Sequence, residues 1–321
     1  MTAPPETTSS FDPASIAPGG STLGAWVRRN PVALKELRGR MRGARAFVVL
    51  TVYVFLMSAF TVLLYAIYSA SAEITLNTTG GVIGKLIFGG VVAIELFLVC
   101  FIAPAFTSGA ISGERERRTY HLLRTTLLSA RRLVTGKLMA ALAYILLLLL
   151  VAVPLQSMAF LMGGVTIEEV LLSVELLVVT AIGYGTVGIF FSAVTKRTLN
   201  ASVLTYALAL VMTVALPLSA LIFQALLSMF LYGVSNLGQP VLEAVLNYGT
   251  ILLASTNPIA TAVATELTLQ QYGAVFTYTE VLSNGANITL ISPWIVYTFI
   301  YMIGSLVMMG LTVRKVRQIE R

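Results

Sequence analysis

Fourteen acidic side chains, one histidine and one cysteine are the chain's stock of groups for holding a metal. With His121 and Cys100 each unique, a His-ligated catalytic zinc, a cysteine cluster and an intramolecular disulfide are excluded. Gly183-Tyr184-Gly185-Thr186-Val187-Gly188 has the spacing of a dinucleotide fingerprint. That fingerprint must follow a strand and open a helix. Here it lies inside a long apolar run, where small residues let helices approach closely. Gly84-Lys85 and Gly136-Lys137 lack the upstream glycine and the Ser/Thr of a phosphate loop. The chain is therefore expected to be non-catalytic, to carry no cofactor and not to hydrolyse ATP. The remaining chemistry is charge placement. Glu95 is a lone acid deep in an apolar run, and Glu114-Arg115-Glu116-Arg117 alternates signs in a polar connection.

The elements that hold these charges follow from composition. The chain is 57% hydrophobic and 11% charged, against about 25% charged in soluble domains, so it reads as an all-α integral membrane protein. Twenty of its 21 Lys and Arg residues fall into four patches: Arg28–Arg45, Arg115–Lys137, Lys196–Arg197 and Arg314–Arg321. The intervening connections carry acids instead, namely Glu73, Glu168, Glu169, Glu243, Glu266 and Glu280. Basic residues stay on the cytoplasmic side, so both termini are expected inside, in the cell membrane of a prokaryote. The net charge of +7 is then a topology signal and an attraction to lipid headgroups, with no nucleic acid implied.

A helix needs about 20 apolar residues to cross the hydrocarbon core. Six spans are expected at about 46–70, 82–112, 133–162, 170–195, 199–231 and 293–313, with Pro104, Pro154 and Pro217 as kink points. Residues 1–27 read as a disordered cytoplasmic tail and 28–45 as an amphipathic interface helix. In that helix Asn30 and Pro31 supply start chemistry, and Leu34, Leu37 and Met41 oppose Lys35, Arg38, Arg42 and Arg45. Residues 113–132 form a cytoplasmic loop. The outer segment 232–292 contains two short apolar helices, re-entrant or interfacial, interrupted at Asn257-Pro258. The alternative joins them into one span, which would give an odd count.

A charge at mid-bilayer costs about 3 kcal/mol. Glu95 must therefore be protonated, paired or turned inward, either as a pathway or gating residue or as a structural hydrogen-bonding group. Lys85 and Glu175, near the outer boundary, could pair or snorkel. The loop from Gly113 to Lys137 exposes Tyr120, Leu122, Leu123, Leu127 and Leu128 among charges, which suits a surface that a partner or the lipid heads cover.

Glu114-Arg115-Glu116-Arg117, Thr119, Leu122-Leu123 and Gly136-Lys137, read in that order, resemble the cytoplasmic loop of ABC-2-type transporter permeases. Asn30-Pro31, Lys35-Glu36-Leu37, Ser292-Pro293-Trp294 and the basic tail are similar to the same family. The pattern is nearest to the subset associated with copper-enzyme maturation and gliding motility. Arg118 stands where the family usually has glycine, and Leu127 or Leu128 where proline is common. The resemblance implies the membrane subunit of an ATP-driven transporter, more often an exporter. It implies a separate ATP-binding cassette subunit that holds ATP and Mg, and a homodimer or a heterodimer with a related permease. It places partner contact and coupling on Lys35, Glu36, Arg38, Glu114, Arg115, Glu116, Arg117, Thr119, Leu122 and Leu123. An ATP-independent channel or carrier, or a structural subunit of a larger complex, is the competing expectation.

Overall fold

The computed structural model describes residues 35–39, 44–74, 80–118, 129–218, 221–222, 225–226, 240–282 and 285–320. A short helical stretch, 35–39, precedes α1 (Ala44–Ile74). The chain continues through α2 (Gly80–Thr107), the five-residue α3 (Ser112–Glu116), α4 (Ala130–Leu161), α5 (Ile167–Val194) and α6 (Thr198–Leu210). After α6 come α7 (Pro240–Ala254), α8 (Pro258–Tyr272), a hairpin of β1 (Thr277–Val281) and β2 (Asn287–Ile291), and α9 (Pro293–Glu320). Among the described residues six helices are long and apolar enough to cross a membrane. They are apolar on all sides, as a helix surrounded by lipid and other helices must be. The protein is an all-α integral membrane protein apart from the hairpin.

α5 is the axis of the bundle and packs against α2, α4, α6 and α9. Its most apolar window is 61% buried, whereas that of α1, which packs mainly against α2 and α4, is 17% buried. The dinucleotide-like glycines explain this packing. A Cβ at Gly188 would lie 2.0 Å from Thr107 Oγ1 of α2, and one at Gly183 would lie 2.5 Å from the Tyr301 ring of α9. Gly183 and Gly188 are contact points for two neighbouring helices, not a phosphate cradle.

The helices alternate in direction, so the arginine patches collect at one end and Glu168, Glu169 and Glu266 at the other. At the acidic end Thr166 and Glu169 form a capping box that starts α5. Lys85 on α2 neither snorkels freely nor meets Glu175. Its Nζ lies 2.8 Å from Glu169 Oε1 and 3.0 Å from Glu266 Oε1, tying α2 to α5 and α8. Glu175 instead accepts a hydrogen bond from Thr298 Oγ1 of α9.

α6 departs from the regular α-helix just before Pro217. It widens into a π-helical turn at Val211–Ala215, and Asn257 Nδ2 donates to the Met212 and Thr213 carbonyls there at 2.8 and 2.9 Å. The segment before α9 holds two short helices and also a hairpin. α7 and α8 have 15 residues each, about 22 Å at 1.5 Å per residue and short of the roughly 30 Å core, and the hairpin follows them. Thr277 pairs with Ile291 and Val281 with Asn287. Trp294 Nε1 donates to Val275 O at 2.7 Å and Ser292 N to Phe276 O at 2.8 Å, fixing the hairpin to the start of α9.

Candidate functional site

At the arginine-rich end α2 stops at Thr107, and the chain turns once before α3. A helix start leaves N–H groups without intrahelical acceptors. Here Ser192 Oγ of α5 accepts from Ile111 N at 2.8 Å and Ser112 N at 3.0 Å, and both serines are fully buried. α3 is thereby pinned to the central helix. Three consecutive residues then reach three different elements.

Glu114 Oε1 lies 3.4 Å from Lys137 Nζ of α4, and the same Nζ lies 2.8 Å from Glu36 Oε1 in the stretch 35–39. Lys137 is 4% exposed, so its charge is held by these two carboxylates. Arg115 Nη1 donates to Thr195 O at 3.1 Å, at the C-terminus of α5, where a cation is favoured. Glu116 accepts from Thr198 N at 2.9 Å and Thr198 Oγ1 at 2.6 Å. Arg197, the N-cap of α6, makes no side-chain cap bond, so Glu116 caps α6 from outside its own helix. Glu116 lies at the exposed end of α3.

Glu36, Glu114, Arg115 and Glu116 therefore belong to one polar clasp across α3, α4, α5, α6 and the stretch 35–39. Lys35, Arg38 and Arg117 are exposed and make no side-chain bond to it among the described residues. Thr119, Leu122 and Leu123 lie outside the described residues. Glu114 pairs with Lys137, and Glu116 bonds Thr198. Lys137 carried a signal, since a lysine within the first turns of an apolar span demands a counter-charge. Ser192, Thr195 and Thr198 carried none, because a hydroxyl in a membrane helix normally bonds its own turn.

Glu95 lies apart from the clasp, at the middle of α2, and is 1% exposed. Gln156 Nε2 of α4 donates to its Oε2 at 2.7 Å, while Oε1 has no partner among the described residues. Glu95 and Gln156 border a cavity of about 460 Å³ walled by Leu146, Leu150, Val174 and Leu177.

The family model for "ABC-2 family transporter protein" matches residues 30–312. The chain belongs to that family. Its members are generally the permeases of ABC transporters, membrane components that are typically non-catalytic and normally pair with an ATP-binding cassette subunit. A search of curated proteins finds no match. The family assignment accounts for the six apolar helices and matches the resemblance carried by Glu114-Arg115-Glu116-Arg117.

Proposed function

We propose that this chain is the permease subunit of an ATP-driven exporter, with ATP and Mg held on a separate cassette subunit. Two copies, or one copy and a related permease, would form the pathway. The arginine-rich end and both termini face the cytoplasm, following the charge rule. The observation that carries this reading is the clasp. A displacement of α3 is felt at once by α4, α5, α6 and the stretch 35–39, because Glu114, Arg115 and Glu116 each bond a different element. Such a joint converts motion of a docked ATPase into motion of the spans. Lys35, Arg38, Arg117, Thr119, Leu122 and Leu123 would form the docking surface, and Glu36, Glu114, Arg115 and Glu116 would transmit. Glu95 supplies the one acidic group at the depth a cargo must cross, so we assign it to the pathway.

Docking and transmission separate experimentally. Leu123→Asp removes apolar contact at about 25 cal/mol per Å² and should lower co-purification of the cassette subunit while membrane insertion is unchanged. Glu114→Ala should leave co-purification intact and reduce ATPase turnover in the complex. Pull-down yield and ATPase rate in one detergent read both. If both variants behave as wild type, this end of the molecule is not the coupling element, and an ATP-independent carrier becomes the better reading.

A further inference from the structure

The C-terminal half of α9 and the start of α4 diverge around a cleft of about 880 Å³. Leu306, Met309, Gly310, Val313 and Arg317 follow a helical stripe along the α9 wall, and Arg314 and Gln318 flank its polar end. Arg131 and Thr135, one turn apart on α4, face them. The cleft is therefore apolar toward the membrane centre and carries three guanidinium groups toward the arginine-rich end. No acid lines it, and none of Arg131, Arg314 and Arg317 has an ion pair among the described residues. Beneath the arginines, Leu306 is 69% exposed, so the apolar wall is continuous with the surface that meets acyl chains. A Cβ at Gly310 would meet nothing within 4 Å, which leaves the middle of the groove open.

We infer that this cleft binds an anionic phospholipid, with its phosphate on Arg131, Arg314 and Arg317 and an acyl chain along Leu306, Met309 and Val313. Guanidinium groups take phosphate oxygens in pairs, and basic pockets between spans recognise acidic headgroups. An acidic protein surface would satisfy the arginines but not the apolar wall below them. The site fits a lipid because both halves of an amphiphile find their complement on neighbouring turns of one helix. Occupied, it would join α9 to α4 where Val316 already packs in the cluster of Val134 and Leu138.

The test uses the full chain without any ATPase, so it stands or falls separately from the coupling reading. Native mass spectrometry would count phosphatidylglycerol and phosphatidylcholine retained by wild type, by an Arg131→Gln/Arg314→Gln/Arg317→Gln variant and by Gly310→Trp. Wild type should prefer phosphatidylglycerol, and the triple variant should lose at least about tenfold of that preference. Gly310→Trp keeps every charge and fills the groove, so it should lose bound phosphatidylglycerol as well. Wild-type retention by either variant overturns the proposal, the second because the charges would then act only as a diffuse surface. Full displacement by glycerophosphoglycerol would also overturn it, since a free headgroup would suffice.

Discussion

Lys137 and Arg118 show how single residues set the arginine-rich end. Lys137 is a buried cation between two carboxylates that are each about a quarter exposed. Removing one member of a buried pair costs more than the pair itself contributes, about 3 kcal/mol when the remaining charge is enclosed. Lys137→Met should therefore lower the melting temperature in detergent. Adding Glu36→Gln and Glu114→Gln should restore part of it, because the triple variant leaves no like charges facing each other. If the triple variant melts below the single, the clasp is not electrostatic. Arg118 ends α3's turn at φ 57, a left-handed conformation that costs a side chain about 1 kcal/mol and glycine almost nothing. The usual glycine of the family thus has a backbone reason here. Arg118→Gly should raise the melting temperature slightly, and a fall would mean that the arginine side chain contributes more than its backbone strain costs.

Elements at the acidic end are held by fewer groups, each with several tasks. Asn257 Oδ1 caps α8 by accepting from Ala260 N at 2.8 Å, while its Nδ2 serves two carbonyls of the π-helical turn. A wide turn leaves carbonyls without regular partners, so Asn257 joins α6 to α8 through backbone that would otherwise be unsatisfied. Asn257→Ala loses a cap worth about 1 kcal/mol and strands two buried acceptors at about 1 kcal/mol or more each. Asn257→Asp keeps the cap acceptor but turns a second oxygen toward the two carbonyls at a buried site. Both variants should melt below wild type, and equal melting of all three would remove Asn257 as the link. The Asn257-Pro258 start of α8 was legible because Asn before Pro is start chemistry. The hairpin was legible in principle: Thr277–Val281 alternates β-branched residues, Asn287–Ile291 is rich in them, and Asn284-Gly285 lies between. A helix-only expectation for a membrane chain hid it. Pro217 withholds the N–H that a regular helix would offer Thr213 O, but Asn257, the partner that satisfies the freed carbonyls, lies more than forty residues away and could not be read.

At the scale of the whole molecule the sequence spoke most clearly, because a bilayer imposes length and charge rules that depend on no partner residue. Apolar runs open into helices beside polar start residues, as at Ile167 after Thr166 and at Pro293 after Ser292. What joins the spans could not be placed, because Glu116 with Thr198 and Ser192 with Ile111 are pairs about eighty residues apart. The fold gathers most of the described cations at one end, and this makes orientation testable with two positions. Gln270 on α8 and Lys196 between α5 and α6 are both exposed and lie at opposite ends. In a Cys100→Ser background, cysteine at 270 should react with a membrane-impermeant maleimide added outside intact cells. Cysteine at 196 should react only after the cells are opened. The reason is energetic as well as statistical. Moving the patches containing Arg115, Arg131, Lys196 and Arg314 across the bilayer would require many cations to pass hydrocarbon, at about 3 kcal/mol each on insertion scales, whereas the opposite end offers mainly carboxylates. Labelling at 196 from outside, with 270 protected, would invert the protein. It would also place the clasp of Glu114, Arg115 and Glu116 where no cytoplasmic ATPase could reach it.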